Sequence, residues 1–156
     1  MPTSKQSLIP RDGLIAVALA LLALSVYLTT SALRFHSIDE IASFSVTRSF
    51  VARGEFDGNV IFWTRAPLGR GSIVAQGSDG ETYVVKDVAP SLLAAPFVMV
   101  GRVMGASSVR SALIPTPLVT ALTVGLLYLI SRVWGASQAT GMLAALAFAF
   151  GSMAWP

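Results

Sequence analysis

The chain has 156 residues, of which 54% are hydrophobic and only 12% are charged. Soluble domains carry about 25% charged residues, so this composition predicts a membrane protein. The net charge is +3, and the lysines and arginines are scattered. This pattern is typical of the positive residues that flank membrane spans, and it provides no cluster for binding nucleic acid.

Cysteine is absent, and His36 is the only histidine. This composition excludes disulfide frameworks, thiolate zinc sites, cysteine nucleophiles and clusters of histidine ligands. The residue pattern by itself therefore predicts no metal site.

The N-terminal part of the chain predicts a membrane anchor. Residues 1–12 are polar and contain Lys5 and Arg11, and residues 13–34 include an apolar run long enough to span a bilayer. The apolar core of a signal peptide is shorter, about 7–15 residues, so we expect an uncleaved transmembrane helix. Lys5 and Arg11 favour a cytoplasmic N-terminus, because positive residues beside a span tend to stay inside.

Residues 35–110 are predicted to form an extracytoplasmic loop, which holds nearly all of the charged residues. Its first element is an amphipathic helix over residues 37–53. The spacing of Ile38, Ile41 and Phe44 places these side chains on one side, which we expect to be the apolar face.

Both ends of this helix carry recognisable signals. Ser37 is the expected N-cap, and Glu40, three residues later, would complete a capping box. Gly54 suits the end of the helix, because glycine readily adopts the left-handed conformation found there.

The middle of the loop predicts a small β-hairpin. Three β-prone runs lie between residues 60 and 86, at 60–63, 72–75 and 82–85. Glycine-rich turns separate the runs, at residues 69–71 and 77–80.

The C-terminal half predicts a short apolar helix and two further spans. Residues 90–104 are apolar but contain Pro96, which would kink or reset the helix. We expect a re-entrant or interfacial helix, or a span that starts at an angle, with Arg102 and Arg110 at the level of the headgroups. Residues 111–131 and 139–155 are longer apolar runs of the transmembrane type. Because the sequence stops directly after the last run, we expect an N-terminal piece of a longer protein.

Together these elements predict an all-α multi-pass protein of the plasma membrane, whose outer loop contains an amphipathic helix and a small β-hairpin. Asp39 and Glu40 follow the first span closely, and ionisable groups at a membrane boundary are candidates for function. Glu40 is explained equally well as a helix cap. Asp39 has no such structural explanation, so it is the favoured functional carboxylate.

Three motifs resemble, in order, the bacterial GT-C glycosyltransferases that use polyprenyl-phosphate sugars and are related to the protein mannosyltransferases. The first is Ser37-Ile38-Asp39-Glu40 after a single span, on a helix that ends in Arg53-Gly54. The second runs from Gly80-Glu81-Thr82-Tyr83 to Pro90 and an apolar helix, where many relatives have Tyr-Ser-Lys-Tyr-Pro-x-Gly. The third, Phe150-Gly151-Ser152-Met153-Ala154-Trp155-Pro156, resembles the Gly-Thr-x-x-Trp-Pro end of a later span.

The resemblance implies a GT-C-like fold and transfer of a sugar from a polyprenyl-phosphate donor to an acceptor hydroxyl at the outer membrane face. Asp39 would be the catalytic general base, with Glu40 second. Lys86 and, less directly, Arg65 would bind the donor phosphate. The partners would be membrane lipid, the lipid-linked donor, and an acceptor glycan, lipid or protein. Some relatives use a divalent cation, which here would meet only carboxylates and would be Mg²⁺ or Mn²⁺.

Two other functions are compatible with the residue pattern. In a small non-catalytic multi-pass membrane protein or subunit, Asp39 and Glu40 would only start a helix. A transporter would carry acidic residues inside its spans, whereas the predicted spans contain none. The choice between the enzyme and the non-catalytic protein therefore depends on what Asp39 does.

Overall fold

The computed structural model describes residues 10–64, 73–85 and 88–152. This part of the chain is mostly helical, as predicted, and it includes a sheet of two strands. The helices are α1 (Pro10–Thr30), α2 (Ile38–Arg53), α3 (Ala89–Val103), α4 (Ser108–Leu113), α5 (Pro115–Val133) and α6 (Gln138–Gly151). The strands are β1 (Val74–Gln76) and β2 (Thr82–Val84), and a 3-10 helix covers Asn59–Thr64. The chain divides into a first unit, residues 1–32 with 116–156, and a second unit, residues 33–115.

The first unit is built from α1, α5 and α6. Tyr128, near the end of α5, donates its hydroxyl hydrogen to Asp12 Oδ1 at the start of α1, at 2.7 Å. Tyr27, near the end of α1, donates to the carbonyl oxygen of Ala149, near the end of α6, at 2.9 Å. Helix α5 therefore runs antiparallel to α1, whereas α6 runs parallel to it.

Small residues allow these helices to pack closely. The buried core of the first unit is rich in alanine and comprises Ala16, Leu19, Ala23, Tyr27, Ala121, Val124, Tyr128, Ala145 and Ala149. At Gly125, an added Cβ would lie 2.8 Å from the carbonyl oxygen of Ala16. The backbones of α1 and α5 therefore meet at a position that leaves room only for glycine, as is common between membrane helices.

We expect Gly125→Ala to destabilise the first unit, because the added methyl group would overlap the Ala16 carbonyl oxygen. Overpacking of this kind costs about 1–3 kcal/mol. Gly13→Ala is the matched control, since an added Cβ at Gly13 has no neighbouring atom within 4 Å. Circular dichroism of the full chain in detergent gives both melting temperatures, and equal values would contradict the close approach of the two helices.

An ion pair lies at the end of the first unit where α1 begins. Arg132 Nε is 3.0 Å from Asp12 Oδ1, and Asp12 is only 4% exposed. The guanidinium of Arg132 also donates to the carbonyl oxygen of Ala136, in the turn between α5 and α6. The α5–α6 turn and the start of α1 are therefore linked at one end of the unit.

The sequence Arg-Val-x-Gly-Ala-Ser occurs twice, at residues 102–107 and 132–137. Both copies end a helix with glycine in the left-handed conformation, with φ of 70° at Gly105 and 88° at Gly135. In each copy the alanine N–H donates to the carbonyl five residues earlier, and the serine is the N-cap of the next helix. This hydrogen bonding is the Schellman arrangement of a helix C-terminus. The same hexapeptide therefore builds both the α3–α4 and the α5–α6 turns.

The two copies offer a matched pair of substitutions. We expect Arg132→Gln to cost about 3 kcal/mol, because it removes the cationic partner of a buried carboxylate. Arg102→Gln changes the same position of an identical turn, but the Arg102 side chain is exposed, so its effect should stay within about 0.5 kcal/mol. Melting temperatures in detergent compare the two variants. Equal losses would assign the effect to the turn and not to the ion pair with Asp12.

Two helical stretches are long and apolar enough to cross a membrane, Arg11–Thr30 and Ser108–Val133, the latter formed by α4 and α5. The third predicted span, residues 139–155, is not a helix of that length, because α6 ends at Gly151. Its 14 residues extend about 21 Å, less than the hydrocarbon thickness of about 30 Å. Residues 153–156 lie outside the described residues.

In the second unit, α2 packs against α3. Ser91 of α3 donates to the carbonyl oxygen of Ser43 in α2 at 2.8 Å. Thr47 of α2 in turn donates to the carbonyl oxygen of Ser91 at 3.2 Å. Reciprocal hydrogen bonds between a side chain and the neighbouring backbone therefore join the two helices.

The buried side of α2 is not the side that the apolar spacing predicted. Its buried residues are small or polar, namely Ala42, Ser45, Val46, Thr47 and Ser49. Ile38, by contrast, is 37% exposed, and Ile41 and Phe44 are only partly buried. The predicted face was wrong because small residues, with their hydroxyl groups bonded to backbone carbonyls, let α3 approach closely. The spacing of apolar residues in the sequence gives no information about this close approach of the two helices.

The predicted β-hairpin is present, but one of its predicted strands is not. β1 and β2 pair antiparallel, with Val74 opposite Val84, and Gly80 in the turn has a φ of 86°. Residues 60–63, predicted as a strand, belong instead to the 3-10 helix. The Asn59 N–H donates to the Asp57 carboxylate at 3.1 Å, and such local hydrogen bonds compete with strand formation.

Helix α3 passes through the proline that was predicted to interrupt it. It runs as one element from Ala89 to Val103, with Pro96 inside it. The Pro96 side chain is exposed, so its ring points away from the contact with α2. The predicted apolar helix over 90–104 is therefore present, and Pro96 does not divide it.

Candidate functional site

Asp39 and Glu40 lie in the first turn of α2, and residues 31–37 connect this helix to α1. Within that link, Leu33 has a φ of 44°, a left-handed conformation that costs a residue other than glycine about 1–2 kcal/mol. The rings of Phe35 and Phe44 lie against each other, with centroids 5.2 Å apart. This contact holds the last residues of the link on α2, just before the two carboxylates.

Glu40 takes part in the cap of α2. The Glu40 N–H donates to Ser37 Oγ at 3.2 Å, which confirms Ser37 as the N-cap. The Glu40 carboxylate accepts a hydrogen bond from the His36 N–H at 2.6 Å, one residue before the position expected in a capping box. At the other end of the helix, the predicted Gly54 cap is also observed, with φ 77° and its N–H bonded to the Phe50 carbonyl. Glu40 therefore has a structural role that occupies its side chain.

Asp39 stands beside Glu40 in a different environment. Its side chain is exposed, whereas Glu40 is partly buried. Its place in the first turn of α2 gives a carboxylate favourable interactions with the helix dipole. Of the two adjacent carboxylates, Asp39 is thus the one that a molecule from outside the chain can reach.

The predicted phosphate-binding residues cannot be placed against these carboxylates. Lys86 and Arg65 both lie outside the described residues. The role assigned to them by the resemblance therefore stays a prediction.

The second unit contains a polar cluster that the sequence did not single out, at the C-terminal end of α2. Asp57 is 4% exposed and accepts hydrogen bonds from the Ser49 hydroxyl and the Asn59 N–H. Arg53 Nη2 lies 2.5 Å from Asp57 Oδ2 and also donates to Ser49 Oγ at 2.8 Å. The cluster ties the last turn of α2 to the segment that follows Gly54.

The charge state of Asp57 follows from this geometry. Burial alone would raise the pKa of the Asp57 carboxyl, but the hydrogen bonds from Ser49, Asn59 and Arg53, and the charge of Arg53, together lower it. The pKa of Arg53 is raised by its hydrogen bonds to Glu55 and Asp57. Asp57 is thus held as a carboxylate, in a structural role. In the sequence, the signal for this cluster was that Arg53 and Asp57 lie four residues apart, on either side of the helix cap at Gly54.

The lowered pKa makes the stability of the second unit dependent on pH. The ordinary pKa of aspartate is about 3.9. A folded-state pKa below that value contributes stability above about pH 4, and this contribution is lost as the pH falls through the folded-state pKa. We therefore expect the wild-type chain to lose stability as the pH falls below about 4, and Asp57→Asn to be less stable at neutral pH but less sensitive to acid.

Glu55→Gln is the control for this effect, because Glu55 also bonds Arg53 but its side chain is 61% exposed. The measurement is unfolding in urea followed by the fluorescence of Trp63, after Trp134 and Trp155 have been replaced by phenylalanine. We expect Asp57→Asn to cost about 1–3 kcal/mol at neutral pH and Glu55→Gln less than about 0.5 kcal/mol. An acid dependence of Asp57→Asn equal to that of the wild type would show that another group titrates.

The described residues do not form a site suited to Mg²⁺ or Mn²⁺. Among them, no three His, Cys, Asp or Glu side chains come together as metal ligands. Of the two carboxylates at the candidate site, that of Glu40 is bonded to the His36 N–H. The Mg²⁺ or Mn²⁺ ion that the resemblance allows therefore stays a prediction.

No protein-family model, curated protein or solved structure matches the chain. The functional interpretation consequently depends on the residues themselves. The structure describes the setting of Asp39 and Glu40, and the reaction implied by the three sequence motifs stays a prediction.

Proposed function

We propose that this chain belongs to an inverting glycosyltransferase of the plasma membrane, with several spans and a cytoplasmic N-terminus. It would move a sugar from a polyprenyl-phosphate donor to an acceptor hydroxyl at the outer membrane face. The observation that carries the proposal is the exposed carboxylate of Asp39 in the first turn of α2. Asp39 lies nine residues after Thr30, where α1 and its apolar stretch end. The three motifs that resemble GT-C enzymes support the same reaction.

In the proposed reaction, Asp39 acts as the general base. The acceptor oxygen attacks the anomeric carbon of the sugar from the face opposite the phosphate. The bond from this carbon to the phosphate oxygen breaks, and its electron pair leaves with the polyprenyl phosphate. The acceptor proton passes to the Asp39 carboxylate, which must lie within about 2.6–3.2 Å of the acceptor oxygen or be joined to it by one water. Attack from the opposite face inverts the configuration of the sugar.

The two carboxylates would have different tasks. The side chain of Glu40 bonds the His36 N–H, so taking up a proton there would weaken the start of α2. Protonation of Asp39 leaves that cap intact. The greater exposure of Asp39 supports it as the base, with Glu40 bonded at the start of the helix.

The leaving phosphate requires positive charge, because negative charge builds up on it as the bond to the sugar breaks. Lys86 and Arg65 are the residues that the resemblance assigns to this role.

The test is transfer of radiolabelled sugar from a panel of polyprenyl-phosphate sugars, using membranes that contain the chain expressed from its natural gene. Asp39→Asn keeps the shape of the side chain but removes its basicity, so we expect transfer to fall by on the order of 10²–10⁴-fold. Ser37→Ala is the structural control. It removes the N-cap at a cost of about 1 kcal/mol and should keep most of the transfer activity.

The same assay also distinguishes Asp39 from Glu40 as the base, and the enzyme from a non-catalytic membrane protein. Loss of transfer in Glu40→Gln, with wild-type transfer in Asp39→Asn, would make Glu40 the base. If the full product of the natural gene transfers no sugar from any donor although it inserts into the membrane, the non-catalytic membrane protein is the better description. The 156 residues alone are expected to be inactive, so the comparison is made on the full gene product.

A further inference from the structure

Helix α3 has two dissimilar faces. Its buried residues, Ser91, Ala94, Ala95, Val98 and Gly101, lie on the side that packs on α2 and α4. On the opposite side a stripe of large apolar residues is exposed, consisting of Leu92, Leu93, Met99, Val100, Val103 and Met104. Val103 reaches 90% exposure. The stripe follows the spacing of one helix face, so a single flat surface could cover it.

The length of α3 is unsuitable for crossing a bilayer. Its 15 residues extend about 22 Å, whereas the hydrocarbon core is about 30 Å thick. A helix of this length with one strongly apolar face is typical of helices that lie in the plane of the membrane interface.

The first unit also places both ends of the intervening chain on one side. Because α5 runs antiparallel to α1, the end of α1 at Thr30 and the start of α5 at Pro115 lie at the same end of that unit. The chain between them, which contains α3, must therefore leave and return on one side of a membrane spanned by α1 and α5. If α3 crossed the membrane once, the end of α1 and the start of α5 would lie on opposite sides of it.

The charges around α3 favour an anionic surface. From Val88 to the end of the chain there is no Asp, Glu or Lys, and the only charged residues are Arg102, Arg110 and Arg132. Arg102, in the last turn of α3, and Arg110, in α4, are both exposed. Arginines beside an apolar helix face can reach phosphate headgroups while the apolar side chains enter the lipid.

We propose that α3 lies in the outer membrane interface, with its exposed stripe in the boundary between headgroups and acyl chains and with Arg102 and Arg110 on anionic phospholipid headgroups. The second unit would thereby be held on the membrane surface by lipid contacts of its own. The inference rests on the membrane location in the proposed function, but not on sugar transfer.

The absence of cysteine makes the chain suitable for single spin labels. Labels at Leu93→Cys and Val100→Cys report on the stripe. Leu126→Cys, on the exposed side of α5, is the control inside a span, and Ser78→Cys, in the β-hairpin turn, is the control in water. The full chain is reconstituted in vesicles of phosphatidylethanolamine and phosphatidylglycerol, and collision rates with oxygen, which enters lipid, are compared with those of a water-soluble nickel chelate.

We expect the Leu93 and Val100 labels to meet oxygen more often than nickel, at a depth of about 5–10 Å and shallower than the Leu126 label. Accessibility to nickel equal to that of Ser78 overturns the proposal, and so does shielding from both reagents, which would indicate a protein partner. Depth equal to that of Leu126 also overturns it, since α3 would then cross the membrane. A Leu126 label that meets nickel freely would instead disprove the membrane location itself.

The headgroup contact is tested by changing the lipid. In vesicles of phosphatidylcholine alone we expect the Val100 label to become more accessible to nickel, because the anionic partners of Arg102 and Arg110 are missing. The Arg102→Gln, Arg110→Gln double variant should lose this dependence on lipid charge. An unchanged depth in both lipids would overturn the role of the two arginines.

Discussion

A buried carboxylate determines how the first unit is assembled. Asp12 accepts hydrogen bonds from Tyr128 and Arg132, both near the end of α5, and a charge taken out of water is tolerated only with such partners. These contacts fix the beginning of α1 against the end of α5, and the close approach at Gly125 continues the same alignment. The antiparallel relation of the two helices follows, and with it the return of the chain to one end of the unit.

Close backbone packing is the common principle of the two units. In the first, alanine and glycine occupy the contacts between helices. In the second, serine and threonine do so, and their hydroxyl groups bond carbonyl oxygens of their own or the neighbouring helix. Such residues leave the large apolar side chains on the outer surfaces, which is the distribution expected where the surroundings are lipid. This accounts for the many exposed leucines and valines of α1, α3 and α5.

The sequence predicted those features that depend on local chemistry. The cap at Ser37, the end of α2 at Gly54, the hairpin and the first two long apolar runs have signals within a few residues, and the structure contains each of them. The buried face of α2 was missed because the identity of its neighbour decides which side is covered. The cluster around Asp57 was missed for a similar reason, since its members become neighbours only when the chain turns after Gly54.

At the candidate site, too, the sequence predicted only what depends on neighbouring residues in the chain. The cap at Ser37 was anticipated from the pattern and is observed. The Glu40 carboxylate bonds the His36 N–H, one residue before the expected position, and the role of Asp39 stays a prediction. The Arg53-Gly54 end of the motif was recognised only by its resemblance to the GT-C enzymes. The structure gives it a physical role, because Arg53 holds the segment after α2 through Asp57.

The position of Asp39 follows from these contacts taken in order. Helices in contact lie with their axes about 8–10 Å apart, so a helix packed on one that lies in the lipid interface is itself held at the height of the headgroups. Helix α2 is bonded to α3 through Ser43 and Ser91, capped by Ser37 at its start and fixed through Arg53 at its end. A carboxylate on such a helix can move little toward or away from the membrane. In the proposed reaction, such a restriction would help the base to meet the donor phosphate, whose height is set by the bilayer and not by the protein.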